Sequence, residues 1–240
     1  MTTLRLDGRA AHEIRPLHFT RRWLPSVPGS VLVDAGRTRV LCTAIVTEGV
    51  PAFLRNSDQG WLTAEYSMLP ASTDTRKQRD RSGRVDGRSV EIQRLIGRAL
   101  RAVVDRKAIK GRTVWVDCDV LAADGGTRTT SINGAYVAVH DAFMELKNQG
   151  DLKHWPLKDS LQATSIGLVD GSLCTDLSYY EDSSADVDLN LVMTGKGQLI
   201  EMGGGAEKGT FSVDHLGEMV SMGQAALARV KSIQEEALAQ

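Results

Sequence analysis

Residues 124–131 of the 240-residue chain read DGGTRTTS, between an alternating run (TVWVDCDV, 113–120) and a helix-like run (INGAYVAVHDAFMEL, 132–146). Glycines let a backbone turn sharply and come close to a ligand. A helix start adds free N–H groups and the positive end of the macrodipole, both of which favour an anion. Arg128 contributes a planar fork matched to phosphate oxygens. Gly126, Thr127 and Arg128 are therefore candidate anion ligands. The same residues would also serve as a plain N-cap with a surface arginine. No lysine follows the glycines, which excludes the nucleotide-binding pattern G-x-x-x-x-G-K-[ST]. Arg88, after Gly87, stands at a second expected helix start, and two such arginines would suit a dianion.

A second group is acidic. Glu181, Asp182, Asp186 and Asp188 put four carboxylates into eight residues. Alternation along VDLNLVMTG (187–195) sets Val187, Leu189, Leu191 and Met193 on one face and Asp186, Asp188 and Asn190 on the other. Clustered carboxylates repel unless a cation neutralises them, and oxygen ligands suit Mg²⁺ or Mn²⁺; a solvated acidic loop is the alternative. The segment TDTRKQRDRSGRVDGR (73–88) is a basic loop, with six basic residues and two acids between Arg76 and Arg88. EMGGGAE (201–207) reads as a hairpin loop to which spacing assigns no chemistry. His12, His18, His140, His154 and His215 are scattered, and none sits in a nucleophile–base pattern. Arginines for an anion, acids for a metal and a cationic loop together suit phosphoryl transfer on a polyanion.

These groups need a frame. Strand alternation appears over 30–36, 38–48, 61–69 and 112–122, and again over 163–171, 172–182, 187–195 and 198–202. Apolar residues at helical spacing predict helices over 89–105, 132–146 and 213–238. VLVDAGRTRVLCTAI (31–45) and IGLVDGSLCTDL (166–177) share an Asp/Gly turn followed by L-C-T, the mark of two hairpins in related halves. The expected fold class is α+β: a single domain over 1–240, built of two related β-α lobes with mixed sheets packed against helices.

With 42% hydrophobic and 25% charged residues and a net charge of −1, affinity for a polyanion has to come from local clustering. Cys42, Cys118 and Cys174 are far apart in apolar runs, so they read as buried thiols in a reducing compartment. No apolar stretch approaches membrane-spanning length and the N-terminus lacks the apolar core of a signal peptide, so we expect no membrane association and a cytoplasmic location.

DQGWLTAEYSMLP (58–70), GRSVEIQRLIGRALRAVVD (87–105), DCDVLAADGGTRTTSINGA (117–135) and DLSYYEDSSADVDLNLVMTG (176–195) resemble the long signatures of the ribonuclease PH and polynucleotide phosphorylase family, and the likeness spans almost the whole chain. The resemblance implies a phosphorolytic 3′→5′ exoribonuclease that uses inorganic phosphate as co-substrate, trims tRNA 3′ ends and releases nucleoside diphosphates. By that resemblance Arg88, Gly126, Thr127 and Arg128 hold phosphate. Asp182 and Asp188 match the paired catalytic carboxylates and, with Asp186, would hold Mg²⁺ (or Mn²⁺). Arg76, Arg79 and Arg81 would contact the body of the tRNA, and the chain would assemble as a homo-hexamer of three dimers. A catalytically silent RNA-binding ring subunit is the competing expectation. The chain departs from the family where relatives read E-x-Q-G-T-A-E: Gly203 and Gly205 stand in place of glutamine and threonine.

Overall fold

A computed structural model describes residues 5–79 and 86–240. A five-stranded sheet takes the order β1-β2-β3-β5-β4, from β1 (Leu17–Arg21), β2 (Ser30–Ala35), β3 (Thr38–Glu48), β4 (Trp61–Met68) and β5 (Arg112–Ala122). Only β4 and β5 run parallel. A four-stranded sheet takes the order β7-β6-β8-β9, from β6 (Leu161–Val169), β7 (Ser172–Thr175), β8 (Val187–Thr194) and β9 (Leu199–Ala206), all antiparallel. The helices are α1 (Gly87–Val103), α2 (Thr127–Asn148), α3 (Tyr179–Ser184) and α4 (Val213–Leu238).

The α+β class agrees with the sequence reading, and of the two sheets the first is mixed while the second is antiparallel throughout. One apolar cluster joins the first sheet, α1 and α2 to Leu161, Ala163 and Val192 of the second sheet and Ala237 of α4. A second cluster fills the space between β6, β8 and α4, through Ile166, Leu189, Leu191, Met219 and Leu227. The three cysteines are free and buried, as their apolar surroundings implied. Among the described residues no helix is long and apolar enough to cross a membrane.

The differences from the sequence reading have local causes. Helix α2 begins at Thr127, five residues before the periodic run. Its first turns are hydroxyl-rich yet buried at Thr127, Thr129, Thr130 and Ser131, so apolar spacing could not reveal them. The strand expected over 172–182 stops at Thr175. Asp176 then turns through φ 50°, and a capping box between Ser178 and Glu181 starts α3. The expected hairpins both form, but with different turns. Asp170 and Gly171, at φ 48° and 73°, make one turn, whereas Gly36 and Arg37 make the other. Asp34 is a strand residue, ion-paired with Arg39 across the ladder. Strand β1, LHFTR, alternates over only five residues with Phe19 alone buried, and was not foreseen.

Candidate active site

Two elements deliver the basic wall. Asp86 caps α1 by accepting from the Arg88 backbone N–H, and its carboxylate also meets Lys77 Nζ at 2.8 Å. This sets Arg88 in the first turn of α1. The Gly125–Gly126 pair turns β5 into α2 with both residues at positive φ, 75° and 63°. A Cβ on Gly125 would come within 2.6 Å of the Leu177 carbonyl oxygen, so only glycine fits there. The turn is clamped from below. Arg15 donates to the Asp124 carbonyl at 2.6 Å, and Thr38 Oγ1 donates to that of Gly125 at 2.7 Å. Tyr66 donates its hydroxyl to Thr127 Oγ1 at 2.9 Å.

The acidic wall depends on the N-terminal segment. Arg15 grips Asp176 with two nitrogens at 2.7 and 3.0 Å, and Arg5 forms a two-pronged pair with Glu181. These bonds fix the chain entering α3, which carries Asp182. On β8, Asp188 and Asn190 face the same side as Asp182, opposite Gly205 and Gly203 of β9.

The walls meet across a cleft of about 450 Å³. Arg88, Gly126, Thr127 and Arg128 line one side and Asp182, Asp188, Asn190 and Glu207 the other, with Lys208 beside Glu207 at the edge of the acidic side. The proposed phosphate ligands and the two carboxylates are thus brought together. Arg128 Nη1 also donates to Glu91 at 3.0 Å, which orients the guanidinium. Burial raises the Asp182 carboxyl above the ordinary aspartate value, Arg88 and Arg128 oppose that rise, and Glu207 adds to it. Asp182 keeps exposed surface, yet the atoms packed around it displace enough water that burial outweighs the two guanidiniums. Burial likewise raises Asp188, reinforced by Asp182 and Glu207. Two guanidiniums on one wall facing a carboxylate pair on the other are suited to a bound anion next to a cation.

Other expected residues lie elsewhere. Glu181 is buried in its arginine pair and takes no part in the cleft. Asp186 does not line the cleft; it sits 3.8 Å from Lys208 Nζ. Asp182, Asp186 and Asp188 therefore do not come together as one ligand set. Among the described residues no group of three or more His, Cys, Asp or Glu is arranged to hold a metal ion. Arg76 and Arg79 are exposed and outside the cleft, and Arg81 falls outside the described residues. Glu207 and the clamps Arg5 and Arg15 were missed, as was Arg9, which donates to the Asp176 carbonyl at 3.1 Å. The only sequence signal for the clamps was their density in RLDGRAAHEIR (5–15).

Models of the 3′ exoribonuclease family, domain 1 and domain 2, match residues 13–145 and 160–226. The chain belongs to the 3′ exoribonuclease family. Ribonuclease PH of Bacillus cereus (strain AH820) is 50% identical over 237 residues, covering 98% of this chain and 97% of its own. Ribonuclease PH of Bacillus mycoides (strain KBAB4) has the same identity and coverage. The crystal structure of rice (Oryza sativa) Rrp46 superposes with a TM-score of 0.80 at 21% identity, covering 98% of this chain and all of that one. The Archaeoglobus fulgidus exosome with RNA bound to the active site superposes with a TM-score of 0.80 at 20% identity, covering 95% and 92%. These two solved structures share the fold. Family membership makes the chain a phosphorolytic 3′ exoribonuclease, as its motifs implied.

Proposed function

We propose that the cleft holds inorganic phosphate against Arg88, Arg128, Thr127 and the free N–H groups around Gly126, with the terminal RNA phosphodiester between it and Asp182 and Asp188. The observation that carries this is the opposed charge of the two walls, two guanidiniums and a helix start facing carboxylates pushed above their ordinary values. A phosphate oxygen bonds to the terminal phosphorus, and the bond from that phosphorus to the preceding 3′ oxygen breaks. The proton that arrived on phosphate ends on the released 3′ oxygen, and a nucleoside diphosphate leaves. Arg88 and Arg128 bring two anions together, which is most of the catalytic task.

The donor set fits Mg²⁺ (or Mn²⁺), because a hard cation removes the cost of holding Asp182 and Asp188 ionised side by side. When bound, it would offset charge on the transferring phosphoryl group. Asp186, turned to Lys208, is left out of this pair. Arg76, Arg79 and Arg81 are proposed to meet backbone phosphates of tRNA, whose 3′ ends are the proposed substrate. We further propose one folding unit of two lobes, supported by the apolar cluster that both halves share. A homo-hexamer and a cytoplasmic location complete the reading.

The test is RNA with a few extra 3′ nucleotides, incubated with Mg²⁺ with and without phosphate. Diphosphates released only when phosphate is present are expected; monophosphates released without it would overturn the assignment.

A further inference from the structure

A second basic surface lies at the far end of α1. Arg94, Arg98 and Arg101 follow one another at helical spacing on its polar face, with Glu91, the partner of Arg128, at the cleft end. The stripe ends at Trp61. The Arg101 guanidinium lies 4.9 Å from the Trp61 ring centroid and that of Arg106 5.8 Å, while Phe53 meets the ring edge-on at 5.2 Å. Phe53 is 70% exposed.

The arrangement is built rather than incidental. Gly60 precedes Trp61 where a Cβ would come within 2.1 Å of the Ile109 carbonyl oxygen, and its N–H donates to the Arg106 carbonyl at 2.8 Å. Gly97 leaves room for Arg101 to fold back and donate to the Leu62 carbonyl at 3.0 Å; a Cβ at 97 would stand 2.9 Å from Arg101 Nη1. Neighbouring Arg98 and Lys107 are paired, with Glu201 and Asp58. Among the described residues Arg101 and Arg106 have no carboxylate partner, and burial and the charges of Arg106 and Arg98 depress the Arg101 pKa. Cations held together without compensation, beside the exposed Phe53 ring and the half-buried Trp61, suit stacked bases linked by phosphates.

We propose that Phe53, Trp61, Arg101 and Arg106 form a platform for single-stranded RNA lying 5′ of the nucleotide in the cleft. Its place in the path of the substrate rests on the cleft assignment above. Thirteen residues of α1 separate Arg88 from Arg101, roughly 20 Å at ~1.5 Å per residue. That distance spans about six nucleotides at the stacked spacing of ~3.4 Å. The β9 edge, with Met202 and Gly203 exposed, borders α1 through the Arg98–Glu201 pair. A Cβ at 203 would meet nothing within 4 Å.

The test uses the full chain and the double variant Phe53→Ala/Arg106→Ala, neither side chain being core. A 5′-fluorescein oligoadenylate of ten nucleotides is titrated by anisotropy at fixed salt, beside a trinucleotide too short to reach the platform. The double variant is expected to weaken decanucleotide binding about tenfold, within the range of one lost base stack. It should also collapse the ratio of decanucleotide to trinucleotide affinity. Equal effects on both lengths, or none on either, would overturn the platform. So would a variant whose only change is a smaller oligomer, which would assign the surface to a second copy. The binding ratio decides the matter even if the unaltered protein fails the phosphate assay, so the two readings fail separately.

Discussion

Four carboxylates within thirteen residues of one another meet opposite fates. Asp176 and Glu181 are buried against Arg15 and Arg5, and despite burial those guanidiniums and their hydrogen bonds hold both groups below the ordinary value. Asp182 and Asp188 also lose solvent, but no arginine touches them closely enough to compensate, and they rise. The first pair is committed to the fold. The second is left short of positive charge, the condition of a site that expects a cation or an incoming proton. Adjacent residues such as Glu181 and Asp182 differ only in direction, one into the arginine clamp and one into the cleft.

The largest expected effect comes from breaking the clamp. Asp176→Asn keeps size and tolerates φ 50°, yet leaves Arg15 buried without a counter-charge, so denaturant unfolding should show a loss of ~3–5 kcal/mol. The sign with pH follows from the depressed value. The stabilisation from Asp176 is full above its unfolded pKa and is lost as pH falls through the lower folded one, so the variant and the unaltered chain should converge in acid. Undiminished stability of the variant at neutral pH would remove the contrast.

Asp188→Asn should do the reverse. Its ionised form is disfavoured in the fold, so stability should stay level or rise, while turnover drops roughly 10²–10³-fold, the scale of losing one electrostatic contact to the transition state. A variant that keeps full turnover would return Asp188 to the structural class. The smallest effect is expected from Glu207→Gln. Glu207 raises both cleft carboxyls, so its removal should move the acid limb of kcat/KM to lower pH. An unmoved or upward-moving limb would show that Asp182 and Asp188 do not control that limb.

The two glycine runs repeat the lesson in the backbone. Gly125 and Gly126 are both at positive φ and both crowded, by Leu177 and by Arg15. In the other run only Gly204 is constrained, at φ 137° with its Cβ position 2.1 Å from the Asp188 carbonyl oxygen. Gly203 and Gly205 have open space before them, so a side chain would fit at either position, and glycine there adds only freedom that the strand must give up on folding. The departure from the family pattern widens the floor opposite Asn190 and Asp188.

Most of the strands, the positions of α1 and α4 and the two charged walls were legible because period and residue type are local properties. Helix α3 could have been read from S-x-x-E at Ser178, but alternation through LCTDL obscured it. The early start of α2 could not, because its first turns bury hydroxyls rather than apolar groups.

The sequence by itself determined which side chains were available: guanidiniums behind helix starts, a carboxylate strand, and the motifs that assign the family. Tertiary structure alone decided their use. Arg5 reaches Glu181 across 176 residues and Arg15 reaches Asp176 across 161. A carboxylate's ionisation depends on what stands within a few ångströms of it, and spacing along a chain carries no record of partners so distant.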